Sequence, residues 1–242
     1  METTKDQLLN GELQILQPKK GFRISIDTIL LASSVITGKA NTILDVGCGV
    51  GGVMLCAALR IPALRATGLE IQDEIVDLCQ QNIELNHLED RVKLIHGAVG
   101  AKISQLKANS FDYVVSNPPY YESNEMMQSP VNSKATSHHE LDVNILEWTN
   151  YCIKMCKPRG YISIIFDSAR IDDLMSAVHG KVGEITLIPI WSKPGTDAKR
   201  FILRARKGVK TPSRISTGIT IHNDDGSYTH EAREIIYNMG QL

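Results

Sequence analysis

Thr42-Ile43-Leu44-Asp45-Val46-Gly47-Cys48-Gly49-Val50-Gly51-Gly52 opens as a β-branched apolar run, breaks on an acid and a cluster of glycines, and leads into a helical pattern over 53–60. Strand, glycine loop and helix in that order make the first unit of a sheet with helices on both faces. The alternation continues outward. Further strand-like runs lie at 66–70, 92–96, 111–116, 161–166, 185–191 and 199–206, with helical patterns at 73–86, 140–156 and 172–178. Only Ser192-Lys193-Pro194-Gly195-Thr196-Asp197 separates the last two strands, which is hairpin length, so one strand must run backwards. The expected fold is α/β and Rossmann-like: a seven-stranded, mostly parallel sheet with one antiparallel strand near its edge and helices on both faces.

Two segments fall outside this pattern. Before the first strand, Gln17-Pro18-Lys19-Lys20-Gly21-Phe22-Arg23 is loop-like, and Asp27 is placed to N-cap a helix through Thr28-Ile29-Leu30-Leu31-Ala32. After Arg214 come a strand over 218–222, a turn at Asn223-Asp224-Asp225-Gly226 and a short helix from Thr229. No boundary interrupts the chain. One domain is expected over 1–242, with an N-terminal extension (1–41), a catalytic core (42–207) and a C-terminal appendage (208–242).

At 242 residues, 43% hydrophobic and 22% charged, the composition is that of an ordinary globular protein. A net charge of −1 excludes a polycation, so a nucleic-acid partner needs a local basic patch. The N-terminus lacks the apolar core of a signal peptide, and no apolar run approaches the ~20 residues that span a bilayer, which makes the cytoplasm the expected compartment. Cysteines 48, 56, 79, 152 and 156 include no CxxC pair, so reduced core thiols are expected, with neither a metal site nor a disulfide framework.

Glycines at 47, 49 and 51 allow a backbone to approach a ligand closely, whether NAD, FAD or S-adenosylmethionine. Gly47-x-Gly49-x-x-Gly52 also satisfies the dinucleotide spacing, so the loop alone leaves NAD open. Asp45 can accept from a methionine ammonium, directly or through water. Glu70, with Ile71 after it, ends the second strand where a carboxylate can take both ribose hydroxyls. The third strand ends at His96-Gly97-Ala98 without an acid, leaving the amide of Gly97 or Ala98 to meet adenine.

Position 117 decides among the cofactors. Ser116-Asn117-Pro118-Pro119-Tyr120 closes the fourth strand. The Asn117 side-chain oxygen and the Pro118 carbonyl can each accept one hydrogen from an exocyclic amine. Pro119 stiffens the loop, and Tyr120, with Tyr121 as a second candidate, can stack on the base. Asn117 also borders the cofactor. A dehydrogenase needs no amine clamp, whereas N-methyl transfer does. An isolated Asn-Pro-Pro is otherwise only a loop signal.

In these residues the chain resembles the bacterial tRNA adenine-N6 methyltransferases that modify the adenine beside the anticodon of a valine tRNA. The resemblance runs through Gln17-Pro18, Asp27 to Ala32, the glycine loop, Asn117-Pro118-Pro119-Tyr120, His139-Glu140, Arg204-Ala205-Arg206-Lys207-Gly208 and Asp225-Gly226-Ser227-Tyr228-Thr229. It implies the class I fold, S-adenosyl-L-methionine as methyl donor, a tRNA partner and no metal. Between 193 and 214 lie eight basic residues and one acid, Asp197. Lys199, Arg200, Arg204, Arg206 and Lys207 are the RNA-binding candidates, Arg200, Arg204 and Arg206 sharing strand parity; guarding a sheet edge is the competing role. A protein glutamine-amide methyltransferase would use the same clamp, although such enzymes carry a larger N-terminal domain. A DNA adenine methyltransferase would need a target-recognition domain. A non-catalytic RNA-binding module would not need the clamp.

Overall fold

Every side chain of Ile43-Leu44-Asp45-Val46 is buried, and so are Tyr113, Val114 and Val115 on the neighbouring strand. Strands without a polar face belong in the middle of a parallel sheet covered on both sides. The computed structural model describes residues 1–21, 23–119 and 144–242. In chain order its elements are β1 (Thr3–Leu8), β2 (Leu13–Pro18), α1 (Ile26–Ser33), β3 (Thr42–Val46), α2 (Gly52–Arg60), β4 (Arg65–Glu70), α3 (Asp73–Leu85), β5 (Val92–His96) and β6 (Phe111–Ser116). Then follow α4 (Ile145–Met155), β7 (Cys156–Asp167), α5 (Ile171–Val178), β8 (Val182–Trp191), β9 (Arg200–Lys207), β10 (Arg214–Ile215), β11 (Ile219–Thr220) and α6 (His230–Asn238).

The main sheet has the order β10-β8-β9-β7-β6-β3-β4-β5, with β11 also on β8. β9 is antiparallel to both β7 and β8, and the other pairings are parallel. The reversed strand is therefore near the edge, as expected, but interior: β8 and the short β10 and β11 lie outside it. One core layer packs α1, α2, α6 and the first hairpin on the sheet, through Leu13, Leu30, Met54 and Ile235. The other packs α4 and α5, through Cys152, Met155 and Leu174.

The N-terminal segment departs from expectation. It begins with an antiparallel hairpin, β1 on β2. β1 has no buried face, so period-two hydrophobicity gave no sign of it. The helix that follows is capped by Ser25, whose Oγ accepts from Asp27 N–H at 3.3 Å; Asp27 lies inside the first turn. Two asparagines of the α3 segment dock the hairpin. Asn86 takes both the N–H and C=O of Gln14, and Asn82 takes both those of Leu16, at 2.7–2.9 Å. Four residues of helix rise ~6 Å and two of strand ~6.7 Å, so the amides match the spacing of a strand edge and cover it.

Among the described residues no helix is long and apolar enough to cross a membrane, and no three His, Cys, Asp or Glu side chains converge as metal ligands. All five cysteines are buried free thiols.

Candidate active site

The carboxyl ends of β6, β3, β4 and β5 lie side by side. Val46 pairs with Ser116 and with Leu69, and Glu70 pairs with His96. Gly47, Asn117, Glu70 and Gly97 therefore emerge along one rim of the sheet. At the turn into α2, Gly47, Gly49 and Gly51 all have positive φ (71°, 54° and 91°), a conformation that penalises any Cβ. A Cβ built at Gly49 meets nothing within 4 Å, so the loop presents open backbone there. Gly52 has another explanation. A Cβ at that position would strike Ile24 and Thr28, so this glycine is fixed by the packing of the N-terminal segment and α1 on α2. The third glycine of the dinucleotide spacing is thus a helix-contact residue.

Glu70 is 6% exposed and accepts from three backbone amides: Gly49 N–H through Oε2 at 3.0 Å, and Ile71 and Gln72 N–H through Oε1 at 2.9 and 3.0 Å. A carboxylate has about four acceptor positions. Taking both hydroxyls of a ribose would therefore displace the Gly49 amide. Asp45 is 1% exposed and accepts from Met54 N–H at 3.2 Å, beneath the loop. Burial, with the nearby Glu70 charge, pushes its carboxyl up to about 7 despite the Met54 bond. Of the two expected routes to an ammonium, this depth leaves the indirect one. The Gly97 amide is committed to Glu70 C=O at 2.8 Å, a correction to its expected contact with adenine, which leaves that reading to Ala98. His96, not anticipated, sets its Nε2 2.9 Å from the Ile71 carbonyl and 3.2 Å from Asp73 Oδ1. Open glycine backbone beside a buried acid at the next strand end fits an S-adenosylmethionine nucleoside.

On the clamp, Asn117 is half-buried, Pro118 buried and Pro119 exposed. Tyr120, Tyr121, His139 and Glu140 lie outside the described residues. Trp148, inside the helical pattern over 140–156, was not among the site residues expected from the sequence, yet it lies here. Its ring covers Gly47 so closely that a Cβ there would lie 2.8 Å from Cζ2. Its Nε1–H donates to Ser116 Oγ at 2.8 Å, and Ser116 donates on to Val46 C=O at 2.7 Å.

Arg200, Arg204 and Arg206 do share a face of β9, but that face is occupied. Arg200 bonds Asp167 at 2.7 Å and lies 3.7 Å from Asp27. Arg204 donates to the carbonyls of Ser34 (3.4 Å) and Leu242 (3.2 Å). Arg206 pairs with Glu184 at 3.0 Å over the Tyr161 ring. Lys207 donates to Asn109 and to Cys156 C=O. Lys199 is exposed. Because β9 is interior, these residues cannot be guarding an edge, and four of the five cations serve the fold.

Residues 22–138, which include the glycine loop and the clamp, match the model of the methyltransferase small domain. The chain is similar to three proteins named tRNA1(Val) (adenine(37)-N6)-methyltransferase. The one from Aeromonas hydrophila is 25% identical over 86% of each chain. That from Dyadobacter fermentans is 24% identical over 92% of this chain and 91% of the relative. That from Shewanella halifaxensis is 30% identical over 65% of this chain and 63% of the relative. Among solved structures, a predicted O-methyltransferase from Agrobacterium tumefaciens superposes with a TM-score of 0.75 at 20% identity, covering 89% of this chain and 98% of that one. Fold, glycine loop and Asn-Pro-Pro segment on one rim thus agree with the matched methyltransferase small domain, and the sheet is that of the Agrobacterium tumefaciens structure.

Proposed function

We propose that the protein, acting as a single unit over 1–242, methylates the exocyclic N6 amine of an adenine in tRNA beside the anticodon. The observation that carries this reading is the pairing of Val46 with Ser116, which makes the cofactor loop and Asn117 immediate neighbours. The names of the relatives support the substrate class, and a tRNA substrate is in keeping with activity in the cytoplasm.

S-adenosylmethionine supplies an electrophilic methyl group on a sulfonium sulfur. The clamp orients the nucleophile. The Asn117 side-chain oxygen accepts one N–H of the amine and the Pro118 carbonyl the other, which draws the nitrogen toward tetrahedral geometry and localises its lone pair. Positioning and electrostatics do most of the work. In such a transfer the N–C bond would form as the methyl–sulfur bond broke, the sulfur leaving as a neutral thioether and the nitrogen giving up its proton to solvent. The target base must leave its stack to reach the clamp, at a cost of a few kcal/mol, and Tyr120 is the proposed stacking partner. Buried Glu70 holds the ribose, and Gly47, Gly49, Gly51, Ile71 and Ala98 line the rest of the nucleoside site.

Incubation with methyl-labelled S-adenosylmethionine and, separately, tRNA, total protein and DNA tests the reading. Label recovered as N6-methyladenosine from tRNA supports it. Label in a glutamine amide, in DNA or nowhere overturns it.

A further inference from the structure

At the end of the sheet opposite the clamp, an open cleft of about 710 Å³ is lined by Arg159, Arg206, Lys210 and Thr211. Its wall is the strap from Gly208 to Pro212, laid across the start of β8. Gly183 lets the strap lie that low, since a Cβ there would collide with the Val209 carbonyl, and Glu184 N–H fastens it to Thr211 C=O at 2.8 Å. Glu184 is neutralised by Arg206. Arg159 and Lys210 have no ion pair among the described residues. In a protein of net charge −1, an open cleft with this lining selects for polyanions.

The position of the cleft indicates which polyanion. Along β7 and β9, Tyr161 pairs with Arg206 at the cleft end and Asp167 with Arg200 at the clamp end. Six residues of strand separate them, ~20 Å. Exposed Arg214, paired on β10 with Thr186 of β8, lies within that interval, and exposed Lys193 and Lys199 lie in the β8–β9 hairpin at its clamp end. A single everted nucleotide cannot span that length, whereas a folded RNA can.

Resting on the proposed tRNA reading, we infer that the Arg159–Lys210 cleft binds backbone phosphates of the tRNA body, remote from the methylated base. The test compares wild type with Arg159→Glu/Lys210→Glu on whole tRNA and on an anticodon stem–loop, with cofactor titration as the control for folding. For whole tRNA, affinity should fall at least ~10-fold, and the slope of log K against log salt should shrink by roughly 1.4–1.8, two contacts' worth. Stem–loop binding should be unchanged. If the double reversal impairs cofactor binding, Arg159→Gln/Lys210→Gln replaces it with the same expectation. Wild-type affinity and slope on whole tRNA, or equal losses on both RNAs, overturn the inference. A wild-type protein that binds tRNA through the cleft yet methylates none overturns the functional reading and leaves the cleft standing.

Discussion

Trp148 and Ser116 join the two halves of the site through one hydrogen bond, Nε1–H to Oγ at 2.8 Å, while the same indole roofs Gly47. Ser116 directly precedes Asn117, so a helix from the far side of the sheet sets the distance between the glycine loop and the proposed amine clamp. Trp148→Phe keeps most of the ring and removes the donor. It should cost ~1 kcal/mol of stability and lower turnover ~10-fold with less effect on cofactor affinity. Single-turnover methylation alongside thermal unfolding separates the two. Wild-type turnover in this variant would make Trp148 a packing residue only.

Asn117→Ala removes one of the two proposed amine acceptors. Turnover should drop at least ~100-fold, as expected for a positioned transition-state contact, with cofactor affinity nearly intact. Calorimetric titration and single-turnover kinetics measure each half. Full activity would end the clamp reading.

For Glu70 the informative change is Glu70→Gln. Alanine would strand three backbone amides, whereas glutamine can still accept from Ile71 and Gln72 N–H. A charge-assisted bond is worth roughly 1.5–3 kcal/mol, so cofactor affinity should weaken at least ~10-fold while tRNA affinity holds. Unchanged cofactor binding would place the ribose contact elsewhere.

Much of the architecture was legible because the central parallel strands are short, largely apolar runs that end at turn signals, which fixes both their existence and the end at which loops gather. The hairpin β1–β2 was not legible: its first strand is polar on both faces and its outer edge is satisfied by Asn82 and Asn86, some seventy residues away. The glycine loop, Glu70 and Asn117 could be singled out because each stands at the end of a strand, and pairing puts those ends side by side. Trp148 could not, since its role depends on how its helix crosses Gly47. The basic run 193–214 was visible as charge, but its use was not; only pairing shows that Arg200 is bracketed by Asp27 and Asp167. Charge reversal at Arg200 would crowd three carboxylates, so it is a poor probe of RNA binding.

Asn82 is fully buried and donates to Val50 C=O at 3.0 Å as well as serving Leu16, tying the N-terminal hairpin to the cofactor loop. Asn82→Ala leaves several backbone groups unsatisfied and should destabilise the protein by ~2–4 kcal/mol. If the hairpin is integral to the domain, denaturant unfolding should stay a single transition with a lower midpoint. A separate early transition would mean that the hairpin melts independently.

The carboxyl of Asp45, raised from 3.8 to about 7 chiefly by burial, makes the free enzyme pH-sensitive. Between those values the folded state keeps a proton that the unfolded chain has released. The stabilising contribution is therefore complete below about 3.8, declines as pH rises toward 7 by at most ~1.4 kcal/mol per pH unit, and is gone above it. Asp45→Asn can still accept from Met54 N–H but has nothing to ionise. Its unfolding midpoint should lose this component of the pH dependence and exceed that of wild type at pH 8. Its cofactor affinity should fall, because an ionised Asp45 is the proposed indirect partner of the methionine ammonium. Wild-type cofactor affinity should correspondingly rise with pH through about 7, and that of Asp45→Asn should stay flat. Thermal melts of the free protein and cofactor titrations from pH 5 to 9 measure both. Parallel stability profiles for the two proteins would mean that Asp45 is already ionised in the fold, and the proposed coupling to the cofactor would fail with it.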